Sequence, residues 1–282
     1  MNTKKALSLY GLKWNPFTQD VPVDALFTTS RLEDFFWRIE SLVRDGGFGL
    51  MSGETGMGKS TAMRMLSARL SKMRDVQVGT IQRPQSRLAD FYRELGEVFA
   101  VNLAPHNRWC GFKALRDKWR AHLESTLTRP VLIVDEAQEA PADVLNELRL
   151  MSSTDFDSSL LLTTVLAGDR RLPELLKDDQ LVSLGSRLRA RLFLEPASRQ
   201  ELIELLEHSM SKAGNPRLMT RGLTETLCEH ALGNYRVLMN MALELFLAGA
   251  KLETAQLDEK LYLQTFQSQP PRREPPTPRR AP

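Results

Sequence analysis

One stretch decides the fold, Phe48-Gly49-Leu50-Met51-Ser52-Gly53-Glu54-Thr55-Gly56-Met57-Gly58-Lys59-Ser60-Thr61. The apolar residues ahead of the glycines predict a buried strand, and residues 61–70 carry apolar side chains at helical spacing. The stretch therefore contains the phosphate-binding pattern G-x-x-x-x-G-K-[ST] between a strand and a helix, as that pattern requires. A glycine-rich turn with a chance Lys-Ser pair is the alternative, and the agreement of strand, loop and helix argues against it.

The residue types of this loop suit a nucleoside triphosphate. Glycines let the backbone curl until several N–H groups point at one anion, and the helix that follows adds the positive end of its dipole. The Lys59 ammonium can reach the outer phosphates, and the Ser60 hydroxyl can ligate Mg²⁺. The predicted nucleotide-binding residues are Gly53, Glu54, Thr55, Gly56, Met57, Gly58, Lys59, Ser60 and Thr61.

A second apolar strand, residues 131–134, ends in the two carboxylates of Asp135 and Glu136. We expect Asp135 to hold Mg²⁺ through water and Glu136 to orient and deprotonate the attacking water. Two adjacent acids at a strand end can also form a solvated turn. Four β-formers ahead of them and the phosphate loop elsewhere in the chain favour catalysis. The two motifs together predict a nucleoside triphosphate hydrolase.

Composition places the chain among ordinary globular proteins. Of 282 residues, 42% are hydrophobic and 26% are charged, and no apolar run approaches the roughly 18 residues of a membrane span. The apolar run near the start is too short for a secretory signal, so a cytoplasmic protein without a membrane partner is expected. The two cysteines, Cys110 and Cys228, lack histidines at ligand spacing, which argues against a zinc site.

Charge does not identify a partner. The net charge is +3, and the Pro- and Arg-rich segment 269–282 with four arginines and one glutamate accounts for it. The rest of the chain is neutral overall, so any nucleic-acid site must come from local clustering of cations.

Alternating strand and helix patterns predict an α/β fold whose parallel five-stranded sheet is covered on both faces. Predicted strands include residues 76–81, 131–134 and 160–167, and a longer helix covers about 112–127 after a loop at 103–111. The predicted domains are an N-terminal arm at 1–30, an αβα nucleotide-binding domain at 31–196, an all-helical domain at 197–266 and a disordered tail at 267–282.

This order of motifs resembles the AAA+ ATPases, in which a P-loop αβα sandwich precedes a small helical lid domain. The resemblance implies that Asp169, at the end of a strand, is the first nucleotide sensor and that Arg236, in Gly-Asn-Tyr-Arg, is the lid-domain sensor. It also implies that an arginine of the segment after Leu184 reaches the neighbouring subunit's site. Arg187 is preferred there, with Arg189 and Arg191 as competitors.

Within that superfamily the chain resembles the ExeA/TniB-like group. The resemblance rests on Asn15-Pro16-Phe17, on Asp-Glu-Ala-Gln at 135–138, on residues 166–169 and on residues 233–240. The group includes bacterial transposition ATPases of the TniB and TnsC type, more distantly phage Mu transposition protein B, and secretion ATPases of the ExeA type. The expected ligands are ATP and Mg²⁺.

The resemblance implies a homo-oligomer, a ring or a helical filament, that forms on duplex DNA, selects target DNA and recruits or stimulates a DDE transposase. An ExeA-type secretion ATPase and a nucleotide-switched scaffold with little turnover are the alternatives. Sequence-independent DNA binding needs cations that face phosphates, and a solvated helix face explains the available cations equally well. The candidates are Arg83, Arg87, Arg108, Lys113, Arg116 and Arg120.

Overall fold

The computed structural model describes residues 3–82, 84–101, 108–154 and 158–266. The chain divides into two compact units. One is residues 26–196, and the other joins the residues up to Ala25 with those from Ala197 onward. The segment 1–30, predicted as an arm, is thus shared between the two units. The predicted tail at 267–282 lies outside the described residues.

A five-stranded parallel sheet forms the centre of the first unit, with the strand order β2-β3-β6-β1-β7. A short antiparallel hairpin, β4 with β5, lies outside it. The predicted α/β fold with a five-stranded parallel sheet is confirmed. The strands are β1 Gly47–Gly53, β2 Val76–Ile81, β3 Arg129–Val134, β4 Ser153–Thr154, β5 Ser159–Leu160, β6 Thr163–Gly168 and β7 Leu188–Leu194.

Helices follow most of the strands in the first unit and form the body of the second. In the first unit they are α2 Ser30–Asp45, α3 Lys59–Leu70, α4 Leu88–Val98, α5 Arg108–Ser125, α6 Ala142–Ser152, α7 Arg171–Leu175 and α8 Val182–Gly185. In the second unit they are α1 Thr3–Tyr10, α9 Arg199–Ala213, α10 Arg221–Ala231, α11 Tyr235–Leu252 and α12 Glu259–Phe266. Within the ranges described above, none of these helices combines the length and apolar character that a membrane span requires.

The three middle strands of the sheet are buried almost throughout. Near-continuous apolar runs are what a parallel strand needs when helices cover both of its faces. Ser52 of β1 pairs with Gly168 of β6, and Leu166 of β6 pairs with Val134 of β3. The carboxyl ends of β3, β6 and β1 therefore lie side by side, where ligands bind in open α/β sheets.

Two predicted boundaries are wrong. Arg108–Gly111 belongs to α5 rather than to a loop, while residues 102–107 lie outside the described part of the chain. Glycine disfavours helix, but a Cβ on Gly111 would lie 3.1 Å from the Tyr92 ring, so packing overrides propensity. The strand predicted at 160–167 is also interrupted, because Leu160 pairs in the β4–β5 hairpin and β6 begins at Thr163.

The second unit has its own apolar core, to which the N-terminal residues contribute. The ring of Tyr10 lies 5.4 Å from that of Phe246 in α11, and the ring of Phe17 lies 6.2 Å from it. Helix α9 begins with a complete capping box, in which the Ser198 hydroxyl accepts from the Glu201 N–H and the Glu201 carboxylate accepts from the Ser198 N–H.

Candidate active site

Lys59 lies at the start of α3, inside the loop that follows β1. Its side chain is 7% exposed. Its ammonium donates hydrogen bonds to the carbonyl oxygens of Gly53 at 2.8 Å and Glu54 at 3.0 Å. Gly58, directly before it, has φ 86°, a left-handed conformation that glycine adopts without strain. The loop backbone thus curls around a nearly buried cation.

The first turn of α3 completes an anion-binding surface. Ser60 and Thr61 are exposed there, and the turn contains no acidic side chain. The first N–H groups of a helix lack partners inside the helix, and the helix dipole favours negative charge at this end. A Cβ on Gly53 would lie 2.8 Å from both the Cβ and the carbonyl oxygen of Leu194, so this close approach requires glycine. These features fit a triphosphate, as the sequence predicted.

Asp135 and Glu136 follow β3 directly. The Asp135 N–H donates to the carbonyl oxygen of Ile81 at 2.9 Å, which fixes the strand end against β2. The Asp135 carboxylate accepts from the Glu136 N–H at 2.9 Å. Glu136 itself is exposed and has φ 50° and ψ 39°, a left-handed conformation that is uncommon outside glycine.

The donor set suits magnesium. Carboxylate and hydroxyl oxygens, here Asp135 and Ser60, are the hard ligands that Mg²⁺ takes alongside phosphate oxygens. The strand carrying Asp135 lies two positions from β1 in the sheet, roughly 10 Å away at the usual strand spacing. That interval leaves room for phosphates and a hydrated cation between the two motifs.

Gln138 connects two strand ends. Its amide nitrogen donates to a carboxylate oxygen of Glu136 at 2.6 Å. Its amide oxygen accepts from the Asp169 N–H at 3.0 Å. A Cβ on Gly168 would collide with that amide oxygen and lie 2.8 Å from Leu172, so glycine makes room for the glutamine side chain. Gln138 therefore ties Glu136 to the end of β6.

Asp169 directly follows β6, and its carboxylate is held by Arg171. The Arg171 side-chain Nε donates to one carboxylate oxygen at 2.9 Å, and the Arg171 backbone N–H donates to the other at 2.8 Å. Hydrogen bonds from Arg171 hold the pKa of Asp169 below its ordinary value, and Lys59 lowers this pKa further. The same guanidinium reaches Glu139 at 2.6 Å.

A second arginine links the same strand end to the loop. Arg170 forms an ion pair at 3.0 Å with Glu54, the second residue of the phosphate-binding pattern. Both partners are substantially exposed, so the pair contributes little to stability. Its geometry places a cation beside the loop that would receive the phosphates.

The three candidate arginines for action on a neighbouring subunit follow α8. Arg187 lies in the turn before β7, where its guanidinium donates to the Ser183 carbonyl oxygen at 2.9 Å. Arg191 donates to the Gly185 carbonyl oxygen at 3.0 Å, and Arg189 is exposed on β7. Strand β7 lies at an edge of the sheet. The choice among the three stays a prediction.

Arg236 lies in the helical unit, exposed in the first turn of α11. The Asn234 side chain caps this helix by accepting from the N–H groups of Arg236 and Val237, at 3.0 and 3.2 Å. This conformation explains the Gly-Asn-Tyr-Arg pattern as a helix start. The role of Arg236 as a nucleotide sensor stays a prediction.

Four of the DNA-binding candidates lie on α5, and the side chains of three of them are described. Lys113 is exposed, Arg116 is half-buried, and Arg120 donates to the Thr154 hydroxyl at 2.9 Å. Arg87 is exposed at the start of α4. Arg83 lies outside the described residues, and so does the side chain of Arg108.

The matched family model covers this site. Residues 43–176 match a family described as an AAA domain, and this range contains both strand-end motifs. The fold is that of an AAA+ ATPase. The predicted AAA+ P-loop fold is confirmed, and nucleotide hydrolysis is the general activity of this class.

Among curated proteins, the chain is 31% identical over 209 residues to General secretion pathway protein A of Aeromonas hydrophila. The match covers 73% of this chain and 37% of that protein, so the chain spans little more than a third of its relative's length. This relative supports the predicted resemblance to ExeA-type secretion ATPases.

Two solved structures illustrate the fold. Cdc6p from Pyrobaculum aerophilum has a TM-score of 0.70 at 11% identity, over 86% of this chain and 67% of that one. The ORC1 protein of Aeropyrum pernix, solved in complex with DNA, has a TM-score of 0.67 at 15% identity, over 89% and 67% of the two chains. At such identities the likeness shows the fold alone.

Sequence reasoning assigned no role to four residues that contact the predicted site. Gln138 contacts Glu136, Arg171 contacts Asp169 and Glu139, and Arg170 contacts Glu54 of the loop. The clearest available signal was the polar run Gln-Glu directly after Asp-Glu-Ala, since polar residues just past a strand end lie at the ligand edge of a parallel sheet. The two adjacent arginines directly after Asp169 gave a second signal.

Proposed function

We propose that this chain is a Mg²⁺-dependent ATPase that assembles on duplex DNA and regulates a separate DDE transposase. The observation that carries the ATPase proposal is that the Lys59 loop and the Asp135–Glu136 strand end lie at the same edge of the sheet, two strand positions apart. Binding would keep the chain assembled on target DNA, and hydrolysis would disassemble it. The proposed location is the cytoplasm.

Each residue of the site has a separate role in the proposed hydrolysis. The loop backbone and Lys59 bind the triphosphate, and Ser60 and Asp135 would hold Mg²⁺, which neutralises phosphate charge when bound. Glu136 accepts a proton from the attacking water, and the Gln138 amide keeps this carboxylate oriented. Arg187 of a neighbouring subunit supplies positive charge where charge grows on the departing phosphate.

The ATPase proposal is tested by Lys59→Ala. Loss of the ammonium should abolish Mg-ATP binding in calorimetry and phosphate release together, because the loop then lacks its cation for the outer phosphates. Lys177→Ala is the matched control, since Lys177 is an exposed lysine that pairs with Glu174 on α7. Equal turnover by the two variants would refute the assignment.

Support for assembly on DNA comes from the cations of α5 and from structural neighbours. The Aeropyrum pernix ORC1 structure was solved in complex with DNA, and a Drosophila ORC structure bound to DNA has a TM-score of 0.66 at 15% identity. Binding to nonspecific duplex should fall steeply with salt, with and without ATP, as counterions compete for the phosphates. Absence of binding to duplex DNA at low salt would refute DNA as a partner, and the transposase role would be refuted with it.

A second candidate is favoured by the curated relative. A role in a secretion complex follows from the likeness to General secretion pathway protein A. It predicts ATP hydrolysis that is indifferent to DNA, together with recovery of the protein in the membrane fraction of expressing cells. Steady-state phosphate release also tests the scaffold alternative, which predicts binding without turnover.

A further inference from the structure

Helix α5 displays a stack of aromatic rings on its surface. The Trp109 side chain is 71% exposed. Its indole stacks on the Phe112 ring, with centroids 6.0 Å apart and planes within 10°. The Arg116 guanidinium lies over the same Phe112 ring, 5.0 Å from its centroid. We call these three residues the α5 platform.

Trp109 lies away from the packed face of the same helix, whereas Phe112 is partly buried against the core. Gly111, Leu115 and Trp119 are buried at four-residue spacing, and Trp119 packs edge-on against Phe99 with centroids 5.2 Å apart. Core packing thus accounts for one tryptophan of α5 and leaves Trp109 outside. An exposed tryptophan stacked on a second ring forms a flat apolar surface that water solvates poorly.

Two cations lie on α5 at the platform, and one exposed acid, Asp117, lies a turn beyond Lys113. Lys113, one residue after Phe112, is exposed, and Arg116 contributes its own charge. A flat π-surface beside cations matches a ligand that has both planar rings and anionic groups. Nucleic acid has both, because bases stack on aromatic side chains while phosphates pair with lysine and arginine.

We propose that the α5 platform binds single-stranded or locally melted DNA by stacking an exposed base on Trp109. A base within an intact duplex already stacks on its neighbours, whereas an unpaired base has a free face. Lys113 and Arg116 hold the adjoining phosphates. The proposal rests on the DNA partner of the proposed function and is independent of the hydrolysis chemistry.

Charge argues against one competing occupant, the chain's own tail. Pro-rich segments do bind aromatic surfaces. Residues 269–282, however, contain four arginines and one glutamate, so the tail and the platform carry the same sign of charge. A strand of phosphates is attracted to the cations that repel this tail.

The test compares two exposed tryptophans. Trp109→Ala is measured beside Trp37→Ala, because Trp37 is 62% exposed on α2 and has no place in the platform. Fluorescence anisotropy follows a fluorescein-labelled thymidine 30-mer and a duplex of the same length. We expect Trp109→Ala to weaken binding of the single strand about tenfold, to change duplex binding less than about twofold, and to leave ATP hydrolysis unchanged. Trp37→Ala should match the parent throughout, and Trp109→Phe should restore most of the loss.

Arg116→Gln supplies an independent reading, because it should lower the slope of log affinity against log salt for the single strand by about 0.7. Equal binding of the single strand by Trp109→Ala and Trp37→Ala would overturn the platform while leaving duplex binding, and the proposed function, intact. If the parent chain binds neither oligonucleotide at low salt, both the platform and the DNA partner are refuted, and the ATPase assignment stands on its own test.

Discussion

The Gln138 amide nitrogen donates a 2.6 Å hydrogen bond to the Glu136 carboxylate. The other end of the same amide accepts from the N–H at the end of β6. A glutamine side chain has a donor and an acceptor in fixed opposition, so it can join two strand ends at once. The Gln138 amide thereby holds Glu136, the proposed general base, and the proposed function gives Gln138 no contact with the nucleotide.

Gln138→Ala should lower kcat for ATP hydrolysis about tenfold and leave KM nearly unchanged, because it frees Glu136 to rotate while the phosphate loop stays intact. Steady-state phosphate release at varied ATP separates the two constants. Gln82→Ala is the control, since Gln82 lines the same open cleft as Glu136. A change confined to KM would mean that Gln138 helps to bind nucleotide instead.

Glu136→Gln should retain Mg-ATP binding and reduce turnover by about 100-fold or more, because the amide keeps the shape of the side chain but cannot accept the proton. Calorimetry and phosphate release measure the two properties. Glu139→Gln is the matched control, since Glu139 lies in the same cleft but its carboxylate pairs with Arg171. Parental turnover by Glu136→Gln would assign water activation to another group.

The sequence was sufficient for the sheet and for the two strand-end motifs because both depend on local signals. Buried parallel strands are continuous apolar runs, and the phosphate loop fixes its own geometry through Gly58 and Lys59. Arg171, by contrast, pairs with Glu139 from a different strand end. Such partnerships depend on strand order, which spacing along one chain does not encode.

The start of α5 was predicted wrongly for a related reason. Gly111 and Cys110 weaken a helix by intrinsic propensity, and the favourable packing of Gly111 on Tyr92 becomes visible once α4 and α5 lie together. The exposed stack of Trp109 on Phe112 depended on this helical start, so sequence analysis did not find it.

Gly168→Ala should reproduce the loss of Gln138, because the new methyl group takes the space of the glutamine amide oxygen and crowds Leu172. We expect a drop in kcat and a lower melting temperature. A double-mutant cycle with Gln138→Ala provides the check, since the second substitution removes part of the collision. Fully additive effects in the cycle would show that the two residues act separately.

The ion pair of Asp169 with Arg171 should make stability depend on pH at the acidic end. Because the pKa of Asp169 is lowered in the folded chain, the pair stabilises the fold at neutral pH, and this contribution is lost as the pH falls through that lowered pKa. Arg171→Ala should therefore begin acid unfolding at a higher pH, as followed by circular dichroism. Arg93→Ala, which breaks an exposed pair with Asp90 on α4, is the control. Identical acid midpoints for the two variants would contradict the prediction.

Arg187→Ala should abolish hydrolysis in the oligomer while each subunit still binds ATP, because the missing guanidinium belongs to the neighbour's site. Mixing Arg187→Ala with Glu136→Gln, which keeps ATP binding, in equal amounts should then restore about a quarter of parental activity, since head-to-tail interfaces combine an intact Glu136 with an intact arginine in that proportion. Phosphate release from the mixture, against each variant alone, measures the effect. If activity is recovered with Arg189→Ala or Arg191→Ala in place of Arg187→Ala, that arginine is the one that acts on the neighbouring subunit's site. If the arginine substitution that abolishes hydrolysis gives a mixture no more active than its two variants alone, hydrolysis lies within one subunit, because complementation requires that Glu136 and the arginine come from different chains.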